Sequence, residues 1–277
     1  MKILDGRIAR ASLMKGLAAR FAALAARGAP ASLAIVQVGA RPDSTAYVNA
    51  KKRFGTEAGA AVKHILLPEG VGEAELVAEI RALDADPAVG GVIVQLPLPD
   101  GLKSRQAAIL AAVSPAKDVD AITGANELRP ATARGVGELL DFYGIGLAGK
   151  KACVIGRSAL VGAPTAELCR ERGASVTVCH SKTADLAKET AAADVIIVAA
   201  GKPGLVGAAH VRPGQTVVDI GISREGDALV GDVDAAAAAP ILGPDGALSP
   251  VPGGVGPMTV LALFENLADL CENNHHE

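Results

Sequence analysis

Short runs of Val and Ile, each closed by Gly or Pro, alternate along this chain with longer alanine-rich amphipathic stretches. Few folds accept that alternation. A run such as GGVIVQLP is apolar at nearly every position rather than at every second one, so both of its faces must be buried, as in a parallel sheet covered by helices. The pattern predicts an α/β fold of parallel strands joined by crossover helices. In the first half it places strands at SLAIVQVG, VKHILLP and GGVIVQLP, with helices starting near Asp43, Gly72 and Ser104 after an opening helix from about residue 7 to 27. In the second half the strands are KACVIG, ASVTVCH, DVIIVAAG and TVVDIGI, with helices over APTAELCRERG and near TADLAKETAAA. The stretch DVDAAAAAPILGPDG reads as irregular, and a last helix follows PGGVGPMT. A chain of 277 residues, half of them apolar, is long enough for two domains with separate cores. The segment from Asp120 to Gly149, with a helix at RGVGELLDFYG, is the expected crossing between them.

Charge and composition narrow the partners. The net charge of −3 comes from interspersed acids and bases, so no basic face suggests nucleic acid and no polybasic tract suggests a membrane surface. No apolar run approaches the roughly 20 residues that span a bilayer, and MKILDGRIAR lacks a signal-peptide core. A cytoplasmic protein acting on a small molecule is expected. Cys153, Cys169, Cys179 and Cys271 form no C-x-x-C pair and read as reduced thiols. The histidines lack metal-ligand spacing, and the closest pair, His275 and His276, lies in a polar tail read as frayed, so no metal is expected.

The stretch VIGRSALVG, residues 154–162, runs from an apolar strand through Gly156 into a helix entrance at Gly162 and Pro164. A backbone there can approach a pyrophosphate, with helix N–H groups and the positive dipole end facing it. The unit from Lys151 to His180 has the length of a nucleotide-binding β-α-β unit, although the glycines do not follow G-x-G-x-x-G, and a tight structural turn would look the same. Where an NAD-binding fold usually places an acid, this chain has CHSKT. Arg157 and Ser181, with Lys182 a lesser candidate, offer donors to a 2′-phosphate instead, which favours NADP over NAD; solvated loop residues would look the same.

Tyr47 and Lys51 in STAYVNAK reproduce the Tyr-x-x-x-Lys spacing of short-chain dehydrogenases, yet they precede the glycine loop by about a hundred residues and fall in the other domain. That reading fails on order. Four apart on a helix, with Asp43 as the expected N-cap, they project from one face and can meet a flat heterocycle. Gln95 ends a buried strand before the rigid PLP, where parallel sheets gather ligand groups. In SPAKDVD, Lys117 and Asp118 read as solvated, while Asp120 is placed to face a ligand. The loop SPVPGGVGPMT can hold a bare backbone against a ring.

Taken together, DSTAYVNAK, GGVIVQLPLP, SPAKDVD, GRSALVGAPTAEL, VTVCHSKT, VVDIGI, GDV and PVPGGVGPMT resemble, in order and spacing over nearly the whole chain, the bifunctional methylenetetrahydrofolate dehydrogenase/methenyltetrahydrofolate cyclohydrolase family. The resemblance implies an N-terminal α/β folate domain, residues 1–120 with a C-terminal helix 257–277 returning to it. It also implies a Rossmann-type NADP domain, residues 121–256, an active site in the cleft between them, and a homodimer. The implied chemistry is oxidation of 5,10-methylene-tetrahydrofolate by NADP+, then hydrolysis of the methenyl cation to 10-formyl-tetrahydrofolate. By position, Lys51 matches the family's catalytic lysine, Gln95 the amide that assists it, Tyr47 the tyrosine lying against the folate, and Asp120 the carboxylate anchoring the pterin. Pro252, Gly253 and Gly254 match the loop between folate and nicotinamide. Gly156, Arg157, Ser158, Ser181 and Ile222 match cofactor contacts.

The chain departs from the family pattern where Ala121 replaces the usual Gly, and where PATA, residues 130–133, replaces PCTP. A methyl at Ala121 is expected to narrow the approach to the pterin. Three classes stay open on the sequence: the bifunctional enzyme, a single-activity dehydrogenase or cyclohydrolase, and a non-catalytic NADP- or folate-binding protein.

Overall fold

The computed structural model describes residues 1–29, 31–226 and 228–274; the tail histidines His275 and His276 lie outside them. In chain order the elements are β1 (Lys2–Ile3), α1 (Gly6–Ala26), β2 (Ser32–Val38), α2 (Pro42–Ala58), β3 (Ala61–Leu67), α3 (Glu73–Ala85), β4 (Gly91–Val94), α4 (Asp100–Lys103), α5 (Gln106–Leu110) and α6 (Ala131–Phe142). There follow β5 (Lys151–Ile155), α7 (Gly162–Glu171), β6 (Ser175–Cys179), α8 (Leu186–Ala191), β7 (Val195–Val198), β8 (Thr216–Asp219), β9 (Ser223–Glu225), β10 (Ala228–Val230), α9 (Ala235–Leu242), β11 (Ala247–Leu248) and α10 (Val255–Asn273). The expected α/β architecture is the one adopted. Among the described residues no helix is long and apolar enough to cross a membrane.

Two compact units emerge, one of residues 1–12 with 132–259 and the other of residues 13–131 with 260–277. The first twelve residues thus fall outside the unit holding the rest of the expected N-terminal domain, because β1 pairs in parallel with β11 and Gly6 N–H reaches Gly253 O at 2.8 Å. Periodicity carries no trace of such two-residue strands, nor of the β9–β10 hairpin.

In the 13–131 unit a three-stranded parallel sheet runs β3-β2-β4. Central β2 and its neighbour β4 are buried almost throughout, while β3 at the edge alternates and leaves Leu66 exposed. Beneath one face Phe54 and Phe21 pack on Phe264, with ring centroids 5.0 and 6.4 Å away. Helix α2 starts at Pro42 with Arg41 as N-cap, so Asp43 sits inside the first turn rather than capping it. Proline at the first helical position needs no N–H partner, which moves the start one residue earlier than Asp43 implied.

In the other unit a six-stranded sheet runs β1-β11-β8-β7-β5-β6 in parallel. Its register sets Ile155 beside Cys179 and Val198, and Val198 beside Asp219, so four carboxyl ends stand level. Residues 235–242 form α9, contrary to the irregular reading of that stretch. The alanine run and the Asp234 carboxylate, which caps Ala237 N–H at 3.0 Å, outweigh Pro240 and the Gly that follows. All four cysteines are buried thiols.

Gly135 of α6 lies so close to α10 that a Cβ there would stand 2.8 Å from Met258 C and O and 2.9 Å from Thr259 N. Backbone atoms cannot swing aside as a side-chain end can. Gly135→Ala is expected to destabilise this unit by roughly 1–3 kcal/mol despite alanine's better helix propensity; urea unfolding measures it, and an unchanged midpoint would refute the close crossing.

Candidate active site

Two groups of candidate side chains take shape, one in each unit. In the 13–131 unit, α2 carries Tyr47 and Lys51, the end of β4 supplies Gln95, and the loop after Asp118 supplies Asp120. Gln95 is fixed at both ends: its backbone N–H bonds Val36 O at 2.8 Å, and its side-chain Nε2 bonds Leu96 O at 2.7 Å. That leaves Oε1 to accept from Lys51 Nζ at 3.0 Å. Burial lowers the Lys51 pKa, against the nearby Asp120 charge, which raises it. Burial likewise raises Asp120, opposed by the Lys51 charge and by the Ala131 N–H bonded to it, with the Asp118 charge adding to the rise. Burial thus works against the charge on each group, while each charge supports the other. Tyr47 remains 40% exposed, leaving its ring available to a ligand.

The loop bearing Asp120 is built by a residue misread from the sequence. Asp118 is only 3% exposed, not solvated. Its carboxylate accepts from Thr123 N–H at 2.8 Å, from the Thr123 hydroxyl at 2.7 Å and from Ile122 N–H at 3.3 Å. Asn266, which sequence reading passed over, holds the same loop by donating to Val119 O at 2.8 Å and Arg129 O at 2.9 Å. Between them Ala121 has φ +51°, the left-handed region that disfavours a Cβ. Its methyl is buried, with 4% exposure, so the departure from Gly acts on the backbone rather than narrowing an open approach.

In the other unit the sites lie past the level strand ends. Gly156, at φ +118°, would drive a Cβ into Ala199 O, and a Cβ on Gly162 would meet Gly156 O, so the strand-to-helix turn tolerates no side chain at either position. The Ser158 hydroxyl accepts from Gly162 N–H at 3.3 Å and serves the turn itself. Arg157 and Ser181 are exposed two residues beyond the paired Ile155 and Cys179. Past β8, Ile222 lines a cavity of about 280 Å³ with Asp219, Gly221, Arg7 and the loop Pro252–Gly254. Arg7, unnoticed in the sequence, is held by Asp5 through bonds of 3.0 and 2.6 Å. Among the described residues no cluster of three or more His, Cys, Asp or Glu could hold a metal.

Fold and site together define a dinucleotide-binding α/β enzyme with a buried lysine–amide pair. Residues 4–120 match the tetrahydrofolate dehydrogenase/cyclohydrolase catalytic domain, and residues 130–275 match that family's NAD(P)-binding domain. The bifunctional protein FolD 2 of Frankia alni is 44% identical over 95% of this chain and 93% of its own length. A crystal structure of the bifunctional FolD enzyme from Campylobacter jejuni superposes with TM-score 0.92 at 38% identity, covering 99% of each chain. The Trypanosoma brucei enzyme, in a structure complexed with NADP cofactor and inhibitor, gives TM-score 0.91 at 32% identity, covering 99% of this chain and 98% of its own. The chain belongs to the tetrahydrofolate dehydrogenase/cyclohydrolase family.

Replacing Asp120 by Asn removes the charge that keeps a proton on Lys51, so the lysine pKa is expected to fall further. The pH midpoint for inactivation by an amine-acylating reagent then moves down, and an upward or absent shift would refute the coupling. Ala121→Gly relieves the left-handed strain and is expected to raise stability by about 0.5–1 kcal/mol, read as a higher urea midpoint.

Proposed function

We propose that this chain oxidises 5,10-methylene-tetrahydrofolate with NADP+ and hydrolyses the resulting 5,10-methenyl cation to 10-formyl-tetrahydrofolate. The observation that carries the reading is the Lys51–Gln95 bond beside Asp120, a buried amine with a depressed pKa held in place by a fixed amide. Residues past the strand ends fit the dinucleotide. Gly156 and Gly162 leave the turn bare for a pyrophosphate, while the exposed Arg157 and Ser181 offer donors to the 2′-phosphate. Ile222 and the Pro252–Gly254 loop would hold the nicotinamide end. When bound, NADP+ accepts the hydride.

The roles of the folate-side residues follow from the charge that oxidation creates. A cationic carbon is favoured by the Tyr47 ring and the Asp120 carboxyl, and it disfavours a second fixed cation nearby. Lys51 therefore tends to be neutral when the methenyl carbon is present. A neutral amine takes a proton from the attacking water and returns it to the leaving ring nitrogen, with Gln95 holding its lone pair in line. Asp120 anchors the pterin. The enzyme works as a homodimer in the cytoplasm, a state that light scattering during size-exclusion chromatography tests.

A paired assay separates the readings. Wild type is expected to form NADPH from methylene-tetrahydrofolate and to hasten decay of methenyl-tetrahydrofolate above the buffer rate. Lys51→Gln is expected to lower hydrolysis by about 100-fold or more, the range for losing a proton-transfer group. Hydrolysis that survives in the variant would remove Lys51 from that role, and a wild type without hydrolysis would make the protein a single-activity dehydrogenase.

A further inference from the structure

We infer that Asp219 and Asp232, two buried carboxylates, are positioning residues of the dinucleotide site, tying the turn that carries Ile222 to the turns after β7 and β10. The inference rests on the NADP reading above. Asp219 ends β8 and is 3% exposed; Asp232 follows β10 and is 0% exposed. The hydrogen bonds to their side chains come from backbone N–H groups of three separate turns. Asp219 Oδ1 accepts from Gly221 at 2.9 Å and Asp232 at 3.1 Å, and its Oδ2 accepts from Val233 at 2.9 Å. Asp232 Oδ2 accepts from Ala200 at 2.6 Å and Gly201 at 2.8 Å.

The two carboxylates also interlock through glycine. A Cβ on Gly221 would overlap the Asp232 carboxyl, and one on Gly231 would overlap that of Asp219. Each acid therefore packs on a glycine one or two residues from the other acid, and Gly221 is the residue immediately before Ile222. Asp219 itself lines the 280 Å³ cavity together with Ile222 and Pro252–Gly254. Rigid turns past the strand ends are what a dinucleotide requires, since a donor displaced by a fraction of an ångström loses its bond.

The bonding is unequal, and that makes the inference testable. Both oxygens of Asp219 are engaged, so Asn at 219 must turn its NH2 toward at least one N–H. Asp232 uses Oδ2 alone, and its Oδ1 is buried without a partner. Asn at 232 can therefore keep both accepted bonds and place its NH2 in the vacant direction, whereas Ala at 232 strands the Ala200 and Gly201 N–H groups.

The test measures NADPH dissociation constants by fluorescence, amide hydrogen exchange in the ligand-free protein, and cyclohydrolysis, which consumes no dinucleotide. Asp219→Asn and Asp232→Ala are each expected to weaken NADPH binding by about tenfold or more, the cost of stranding buried N–H groups. Exchange should quicken at Gly221 and Val233 in the first variant and at Ala200 and Gly201 in the second. Both effects should exceed any change in hydrolysis, and Asp232→Asn should bind NADPH within about threefold of wild type, two bonds being retained. If Asp219→Asn does not fold, the Asn and Ala variants at 232 carry the comparison. Equal loss of binding and hydrolysis, or equal effects of Asn and Ala at 232, would overturn the inference. A wild type that binds no NADPH would overturn the cofactor reading itself, and this inference with it.

Discussion

Parallel pairing obliges each strand to be followed by a crossover, and burial on both faces leaves polar groups a place only where the strand stops. The rest of this structure depends on that constraint. Gln95 stands one residue past β4, Gly156 one past β5, Ser181 two past β6, and Ile222 three past β8. The level register of β5, β6, β7 and β8 puts their following turns in one row. A slip of one residue would exchange the faces of a strand and misplace its functional end.

Within that frame, the chemistry proposed for the 13–131 unit rests on one hydrogen bond whose acceptor is held from both sides. Gln95 is bonded to Val36 and Leu96 before it meets Lys51, so the amide presents its oxygen, not its nitrogen, to the amine. Burial then disfavours the Lys51 ammonium and lowers its pKa, which an exposed lysine would not experience. Asp120 works in the opposite direction, and the balance between the two is set by a loop that Asp118 and Asn266 hold in shape.

Much of the candidate site was legible in the chain because its residues are of unusual type for their position. A lone Gln closing an apolar run, a Tyr and Lys one helical turn apart, and a glycine loop followed by CHSKT all stand out without coordinates. The paired acids at 219 and 232 carried the same signal, an acid at the end of TVVD and another in GDV, yet nothing local says that they pack on glycines twelve and eleven residues away in sequence. Asp118 was misread for the same reason: its partners Ile122 and Thr123 are neighbours in sequence, but its burial depends on the bridge between Val92 and Asp118 and on α10.

Local pattern was enough for the α/β class, the longer strands and helices, the family and the choice of candidate residues, because periodicity and residue type are local properties. Only the tertiary structure decided that residues 1–12 join the sheet of the second unit, that residues 235–242 are helical, and that Ala121 sits in the left-handed region. It alone decided the Lys51 shift as well. Each of these depends on pairing, burial or backbone closure between segments far apart in the chain, and those energies exist only once the segments meet.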